Sequence, residues 1–253
     1  MPDGERFRAT ELTRGPWDPD AQHAGPPAGL VTREIERLGE PARIGRITFE
    51  ILRSVPIATL AVSARIVRPG RRVELCEASL SDEKGEVIRA TAWRLRPDPV
   101  ELPAVPGAGD DPPPSPEAAE QGEFFPTGES VGYHTAMEYR FIHGGFLAAG
   151  PASVWMRMRV PLVAGEEPSP AQRVMVAADS GNGVSAALDW RKFLFINVDL
   201  TVHLHREPAG EWVHLDAVTL PEPTGFGLAD TLLADERGRI GRAAQTLLVG
   251  RRD

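Results

Sequence analysis

The chain has 253 residues, 42% of them hydrophobic, and a formal net charge of −8 at pH 7. Its acidic balance and its lack of a basic stripe interleaved with aromatic residues argue against a nucleic-acid-binding surface. The single cysteine, Cys76, excludes an intrachain disulfide, and no stretch approaches the roughly 18 apolar residues that cross a bilayer. We therefore expect a cytoplasmic protein with no membrane contact.

The first part of the chain predicts a short extended segment, one helix and then several strands. The extended segment lies around Phe7 to Thr13, and apolar residues at roughly helical spacing predict a helix from about Ala24 to Leu38. The runs RITFEIL and RVELCEASL alternate only partly between apolar and polar residues. Such partial alternation is typical of strands that place one face on a helix and leave the other half exposed.

A proline-rich and acidic stretch, residues 97–130, divides the chain. Proline removes backbone donors and fixes extended geometry, so we expect no packed element there. The division predicts a first module of residues 1–96 and a second module of residues 131–253.

The second module repeats the order of signals seen in the first. An extended segment lies around Tyr133 to Ile142, and the run ASVWMRMRVPLV alternates as a strand does. Ser169 and Pro170 predict the N-cap and the first turn of a helix. We expect the glycine-rich residues 181–183 to interrupt this helix and residues 184–190 to resume it.

An internal duplication links the two modules. Residues 71–95 align with residues 224–248 without a gap, at a constant spacing of 153 (224 − 71). The identical pairs include Leu75 with Leu228, Leu80 with Leu233, Asp82 with Asp235, Gly85 with Gly238, and, further back, Arg53 with Arg206. A duplicated unit of one helix followed by strands predicts an α+β fold, in which two antiparallel sheets each wrap around a central helix and join edge to edge.

Six phrases of the sequence carry a family resemblance. They are GPWDPDAQHAGPPAGL, ITFEILRSVP and RPGRRVELCEASLSDEKGEVIRATAWRL in the first module, and VMVAADSGNGVSAAL, NVDLTVHLHREPAGEWVHLDA and GFGLADTLLADERGRIGRAAQTLLV in the second. Together they resemble the acyl-CoA thioesterase II group of double-hotdog proteins. The resemblance covers most of the chain outside residues 97–130. It implies a double-hotdog fold and hydrolysis of an acyl thioester to a free acid and coenzyme A, without a covalent intermediate.

The resemblance also implies a set of catalytic residues. In the family, an Asp on the second module's helix, a Thr on the following strand and a Gln on the last strand hold a water against the thioester carbon. By position these are Asp179, Asn197 and Gln245, so this chain has Asn197 where the family pattern has Thr. An amide can still orient water, but with a geometry different from that of a hydroxyl.

Hydrolysis of a thioester needs a group that accepts a proton from water and groups that stabilise the oxyanion. The Asp179 carboxylate can accept a proton from the attacking water, and we expect burial beside the helix to raise its pKa toward a useful range. We expect the backbone N–H groups of Gly181, Gly183 and Val184 to bind the substrate by holding the developing oxyanion.

The first module lacks equivalents of the three catalytic side chains. At the spacing of 153 residues, Pro26, Ile44 and Ala92 stand opposite Asp179, Asn197 and Gln245. None of these three can position water through its side chain, so we expect one working site per chain, with the first module as a wall for the acyl chain.

Two further residues are candidates for substrate binding. Thr201 shares a strand face with Asn197 by two-residue alternation, so its hydroxyl is a candidate replacement for the missing Thr. His23 precedes the first helix and either caps it or lines the ligand cleft.

Other classes of site and function remain as alternatives. His203 and His205 have a spacing compatible with metal binding, but no third ligand accompanies them, so we predict no metal and no other cofactor. One alternative function is a non-catalytic acyl-CoA-binding or scaffold protein. A hydratase would need an Asp/His or Glu/His pair, for which His23 is the only plausible imidazole. The expected partner is acyl-CoA or another acyl thioester, and since paired modules of this kind often associate further, a homo-oligomer is expected as well.

Overall fold

Thirteen antiparallel strands form one continuous sheet in the computed structural model, which describes residues 5–103, 112–124 and 126–252. The strands are β1 (Glu5–Arg8), β2 (Arg43–Ile51), β3 (Thr59–Arg68), β4 (Val73–Asp82), β5 (Gly85–Leu95), β6 (Glu120–Gln121), β7 (Met137–His143), β8 (Ala152–Met158), β9 (Phe193–Asn197), β10 (Asp199–Leu204), β11 (Trp212–Pro221), β12 (Phe226–Asp235) and β13 (Gly238–Arg251). The helices are α1 (Gly25–Glu36), α2 (Tyr133–Ala136), α3 (Pro170–Ala178) and α4 (Gly181–Val184).

The sheet consists of two halves that meet at a full ladder of backbone hydrogen bonds. The strand order is β1-β3-β4-β5-β2 in the first half and β10-β13-β12-β11-β8-β7-β6 in the second, with β9 pairing to β13 off this path. Strands β2 and β10 form the junction, where Glu50 lies opposite Asp199 and Arg46 lies opposite His203. The predicted α+β double hotdog with edge-to-edge halves is therefore confirmed, and pairing at the junction removes one open edge from each half.

The two long helices pack against each other and fill the core. Val31 and Ile35 of α1 and Val174 and Met175 of α3 are completely buried. Burying a side chain of this size contributes about 1.5–3 kcal/mol, so these four residues fix the helix pair against the sheet. Within the described ranges, no helix is long and apolar enough to cross a membrane.

The start of α3 has the predicted cap and is also held by α1. The Ser169 hydroxyl accepts the N–H of Gln172 at 3.1 Å, and Pro170 occupies the first turn, as predicted. The carboxylate of Glu36, the last residue of α1, accepts a hydrogen bond from the Ser169 hydroxyl at 2.8 Å and another from Gln172 Nε2 at 2.7 Å. The two halves are thus joined through polar contacts between their helices as well as through the sheet.

The sequence duplication is reproduced in the strands down to single hydrogen bonds. Strands β4 and β12 cover residues 73–82 and 226–235, which preserves the spacing of 153 (226 − 73). In the first half, Arg53 forms two hydrogen bonds to Asp82, at 3.0 and 2.5 Å. In the second half, Arg206 forms the same two bonds to Asp235, at 2.7 and 2.6 Å. The aligned register is therefore a repeat of structure as well as of sequence.

The helices do not follow this register. A spacing of 153 would place the counterpart of α1 at residues 178–189 (25 + 153 to 36 + 153), whereas α3 ends at Ala178. Pro26 lies in the first turn of α1 and Asp179 is the C-cap of α3, so the expected match of Pro26 with Asp179 is wrong. The gapless alignment extends only through strands joined by tight turns.

The glycine-rich residues 181–183 were expected to interrupt the helix of the second half, but they form α4 themselves, and the break lies before them at residues 179–180. The helix also does not resume after the glycines. Only Val184 of the expected segment 184–190 is helical, because α4 ends there. The Ser185 hydroxyl donates to the carbonyl oxygen of Gly181 at 2.8 Å and lies 2.8 Å from Thr219 Oγ1 on β11. Such local side-chain bonds to the backbone compete with helix propagation.

Part of the proline-rich stretch packs against the second half-sheet, contrary to expectation. Strand β6 pairs with β7, and the indole N–H of the fully buried Trp155 donates to the carbonyl oxygen of Pro114 at 2.8 Å. A buried indole needs such an acceptor, which explains why this acidic segment is held. Residues 104–111 and 125 of the stretch, with residues 1–4 and 253, lie outside the described ranges, and the boundaries of 1–96, 97–130 and 131–253 stay a prediction.

Candidate active site

A cluster of polar side chains surrounds Asp179 at the end of α3. The Asp179 side chain is only 4% exposed. Its Oδ1 accepts a hydrogen bond from Asn197 Nδ2 on β9 at 2.8 Å and another from Gln245 Nε2 on β13 at 3.3 Å. Gln245 Nε2 also lies 3.2 Å from the Asp179 carbonyl oxygen. The three residues predicted to be catalytic therefore lie together.

The first half of the chain contributes an imidazole to the same cluster. Nδ1 of His23 lies 3.0 Å from Oδ2 of Asp179. The Gly25 N–H is directed at the same Nδ1, 3.1 Å away, so Nδ1 would accept from it if the ring proton were on Nε2. The same N–H also helps to lower the pKa of the Asp179 carboxyl. We assign a proton to Nδ1, because this tautomer donates to the buried carboxylate, and the Gly25 N–H then belongs to the carboxylate as well.

The His23 ring is fixed by its neighbours. It stacks on the Tyr133 ring, with 3.8 Å between the ring centroids and 9° between the ring planes. The Tyr133 hydroxyl donates to the Val176 carbonyl oxygen at 2.7 Å and lies 3.1 Å from the Ser180 hydroxyl. The backbone N–H of His23 donates to the Thr13 carbonyl oxygen at 2.8 Å. His23 was expected to cap α1 or to line the cleft, but its contact with Asp179 was missed, because no local signal connects residues so far apart in the chain.

The pKa of Asp179 is lowered, whereas from the sequence we expected it to be raised. Burial raises the pKa of the carboxyl. The neighbouring His23 and hydrogen bonds from His23, Asn197 and the Gly25 N–H outweigh burial, so the pKa lies below its ordinary value of 3.8. The expectation was wrong because it counted desolvation without the donors that stabilise the charged form. Asp179 is therefore ionised at neutral pH.

The glycine-rich segment after Asp179 offers fewer backbone donors than expected. The Val184 N–H already donates to the Ser180 carbonyl oxygen at 2.9 Å, and the Asn182 N–H donates to Gln245 Oε1 at 3.1 Å. An oxyanion role for Val184 is therefore wrong: its N–H is used within the helix, and its side chain is completely buried.

Gly181 and Gly183 differ in the space around them. A Cβ at Gly181 would lie 2.6 Å from Thr231 Oγ1, so glycine is required there for close packing. A Cβ at Gly183 would meet no atom within 4 Å. Of the three residues predicted to bind the oxyanion, Gly183 is therefore the one beside open space.

Thr201 does not share a face with Asn197. Asn197 lies opposite Leu247 and Thr201 lies opposite Ala244, so four steps along β9 and β10 match three steps along β13. This β-bulge reverses the alternation, because each extra residue turns the next side chain to the other face. The Thr201 hydroxyl instead donates to Thr48 Oγ1 at 3.1 Å, across the junction of the half-sheets, and its predicted role at the site is wrong.

The residues of the first half that align with the catalytic set are apolar and buried. Ala92 is completely buried and Ile44 is 8% exposed. Neither side chain offers a polar atom, so the cluster around Asp179 has no counterpart there. The first half still supplies His23 to the cluster, and the expectation that it forms a wall for the acyl chain stays a prediction.

An apolar cavity of about 490 Å³ has Tyr133 in its wall, next to the cluster. Its wall includes Leu30 of α1, Val176 of α3 and Leu60 of β3, together with Gln22 and Pro26 on either side of His23. Asp179 itself does not line the cavity. The pocket is bounded by both long helices. Its link to the polar cluster is Tyr133, whose ring stacks on His23, while His23 itself does not line the pocket.

Metal ligands are not grouped in the described ranges. No three His, Cys, Asp or Glu side chains there are placed to hold a metal ion. His203 lies on β10 at the junction, opposite Arg46.

Comparisons with known proteins agree on one family. The family model for the acyl-CoA thioesterase N-terminal domain matches residues 13–95, and the model for the acyl-CoA thioesterase C-terminal domain matches residues 109–249. No curated protein matches the chain significantly.

Solved structures of similar fold carry thioesterase descriptions. A protein assigned as a thioesterase II from Thermobifida fusca superposes with a TM-score of 0.76 at 17% identity, covering 97% of this chain and 92% of that one. An acyl-CoA thioesterase II from Mycobacterium marinum superposes with a TM-score of 0.70 at 13% identity, covering 92% and 91%. At these identities the similarity establishes a shared fold.

Proposed function

The chain belongs to the acyl-CoA thioesterase family, and from this premise we propose that it hydrolyses an acyl-CoA thioester to a free acid and coenzyme A. The observation that carries the proposal is the buried Asp179 carboxylate, which receives hydrogen bonds from Asn197 and Gln245 beside an apolar cavity. An ionised carboxylate held in this way fixes the polar side chains around it, and preorganised groups of this kind direct water for attack on a carbonyl carbon.

The departure at Asn197 keeps the donor that the cluster needs. Its Nδ2 donates to Asp179 Oδ1 at 2.8 Å and to the Asp199 carbonyl oxygen at 3.3 Å. The side chain is thereby held with its amide plane fixed. Its Oδ1 is the remaining acceptor, so an Asn at this position can accept a hydrogen bond from water while it donates to the carboxylate.

The apolar cavity is the proposed site for the acyl chain. Its walls are mostly aliphatic, with Leu30, Leu60 and Val176 among them. A volume of about 490 Å³ lies within the range of about 300–1,000 Å³ that is usual for small-molecule sites. Because Tyr133 lines the cavity and stacks on His23, an acyl chain in this cavity would bring its thioester carbon toward the polar cluster.

A substrate panel tests the proposal. The protein is incubated with saturated acyl-CoA esters of increasing chain length, and free thiol is measured over time against a blank without protein. The proposal predicts thiol release that saturates with substrate and depends on chain length. Saturable binding of acyl-CoA without thiol release would instead establish the acyl-binding alternative, which the replacement of the family's Thr by Asn197 favours.

The His23–Asp179 pair supports a second candidate function. A hydratase needs an imidazole and a carboxylate at one site, and these two groups lie 3.0 Å apart. Enoyl-CoA esters in the same panel test this reading. Loss of the conjugated double bond without thiol release would establish hydration, whereas thiol release from enoyl and saturated esters alike supports hydrolysis.

A further inference from the structure

We propose that His23, from the first half of the chain, is the general base of the hydrolysis, and that Asp179 acts by orienting it. The assignment rests on the proposed function and names the group that takes the proton from the attacking water. Three observations and one assignment carry it: the occupied acceptor sites of the carboxylate, the absence of a partner for the second imidazole nitrogen among the described residues, the stacking of the ring on Tyr133 of the cavity wall, and the assigned tautomer of the imidazole.

The acceptor sites of Asp179 are already occupied. A carboxylate offers about four lone-pair positions. Oδ1 receives Asn197 Nδ2 and Gln245 Nε2, and Oδ2 receives His23 Nδ1. The Gly25 N–H supplies a further donor to the same carboxylate. A water proton could reach Asp179 only by displacing one of these donors, and the ionised form that they stabilise is a weak base.

The His23 imidazole, in contrast to the Asp179 carboxylate, keeps a free acceptor for a proton. With its proton on Nδ1 facing Asp179, His23 keeps a lone pair on Nε2. Nε2 makes no hydrogen bond to any residue in the described part of the chain, and the His23 side chain keeps 15% of its surface exposed. A carboxylate that fixes the tautomer of a histidine and stabilises its charged form is a recurrent means of making imidazole an effective base.

His23 does not itself line the proposed acyl site, but its neighbours do. Gln22, which precedes His23, and Pro26, three residues after it, line the cavity, and so does Tyr133, which stacks on the ring. The stack and the backbone bond from His23 to Thr13 fix the ring without using Nε2. Preorganisation of this kind is what a general base requires.

The proposed step balances as follows. The water oxygen forms a bond to the thioester carbonyl carbon, its proton passes to His23 Nε2, and the carbonyl electron pair moves to the oxygen. When the tetrahedral intermediate collapses, the C–S bond breaks and the sulfur takes the electron pair. The imidazolium returns the proton to the sulfur. The products are the carboxylic acid and the free thiol of coenzyme A, with no oxidant or cofactor required.

Substitution of His23 tests the assignment. His23→Gln is expected to lower kcat by about 100-fold or more, the usual contribution of a general base, with KM changed by less than about threefold. Added imidazole is expected to restore thiol release in His23→Ala in a saturable manner. His134→Gln is the matched control, because His134 also stacks on an aromatic ring, that of Phe124 at 5.1 Å, and has no contact with Asp179.

The pH dependence gives an independent readout. The wild-type kcat/KM is expected to fall as the pH is lowered, because a protonated His23 cannot accept the water proton, and this acid limb is expected to be absent from the residual activity of His23→Gln. The titratable groups packed against His23 are Asp179 and Tyr133, and burial raises the pKa of Tyr133 so that it stays neutral. Arg14, whose backbone pairs with Gln22, is engaged with Glu129.

The outcomes separate this assignment from the proposed function. Full wild-type kcat in His23→Gln, or a loss that appears only in KM and is not rescued by imidazole, overturns the assignment and leaves hydrolysis standing. Absence of thiol release by the wild-type protein on every thioester overturns both. A loss of kcat together with imidazole rescue supports both, provided that circular dichroism shows the variants to be folded.

Discussion

The carboxylate of Asp179 receives its hydrogen bonds from three distant segments of the chain. The sequence was sufficient to predict that Asp179, Asn197 and Gln245 would gather, because their positions match a family pattern on one helix and two strands. It was not sufficient to predict that His23 would reach the same carboxylate, since this contact depends on how the two halves pack. The direction of the Asp179 pKa was mispredicted for the same reason, because the donors that lower it were not known.

The charge at position 197 should matter more than the shape of its side chain. Asn197→Asp would place a second carboxylate against Asp179 Oδ1, where Asn197 Nδ2 now lies at 2.8 Å. Two adjacent carboxylates disfavour each other's ionisation, so we expect kcat/KM for thiol release to fall by about 100-fold or more at pH 7. Asn197→Thr retains a donor and is expected to stay within about tenfold of wild type. Equal activity of Asn197→Asp and wild type would contradict this account of the cluster.

At the level of elements, the sequence predicted correctly those features that depend on interactions between residues close in the chain. The N-cap at Ser169 and the alternating strands follow from hydrogen bonding and burial within a few residues, and both are confirmed. The end of α4 at Val184 and the bulge between β9 and β10 are set by contacts with β11 and β13. These tertiary contacts leave no periodicity in the sequence, which is why Thr201 was assigned to the wrong face.

Alanine substitutions at the two glycines of α4, Gly181 and Gly183, form a matched pair for measuring the free energy of unfolding. Gly181→Ala would drive a methyl group to within 2.6 Å of Thr231 Oγ1 and 3.1 Å of Gln245 Oε1. We expect this overpacking to lower the free energy of unfolding by about 1–3 kcal/mol. Gly183→Ala meets nothing within 4 Å, and should leave the free energy of unfolding unchanged or raise it by up to about 1 kcal/mol. Urea unfolding of both variants measures the difference, and an equal effect would show that the packing around Gly181 is looser than described.

Strand β11 carries a histidine that should make stability depend on pH. Burial, with a smaller effect of His143, lowers the pKa of His214 from 6.5 to about 4. The unfolded chain therefore binds more protons between pH 6.5 and 4, so this contribution to stability is complete above about pH 6.5 and is lost as the pH falls toward 4. At about 1.4 kcal/mol per pKa unit, the loss reaches roughly 3 kcal/mol.

A variant isolates this contribution of His214. His214→Gln keeps a polar partner for the Ser153 hydroxyl, which lies 2.7 Å from His214 Nε2. We expect it to remove most of the slope of the free energy of unfolding between pH 6.5 and 4. Urea unfolding at several pH values measures the slope. A slope unchanged in His214→Gln would assign the pH dependence to other groups.

At the scale of the whole molecule, a duplicated framework carries one polar cluster. The paired ion contacts of Arg53 with Asp82 and of Arg206 with Asp235 show that the strands of the two halves kept the same interactions. The cluster, by contrast, draws on Gln245 of the second half, where the first half has Ala92. The gapless repeat made the sheet predictable from the sequence. The helices α1 and α3 do not follow the spacing of 153 residues, so the repeat could not predict the contact between His23 and Asp179.

Steady-state thiol release from an acyl-CoA by wild type and Asp179→Asn tests the central claim most directly. The exposed Asp216 supplies the control variant Asp216→Asn. If the cluster around Asp179 is the catalytic centre, Asp179→Asn lowers kcat/KM by about 100-fold or more, while Asp216→Asn matches wild type. Equal kcat/KM in all three folded proteins would contradict the account.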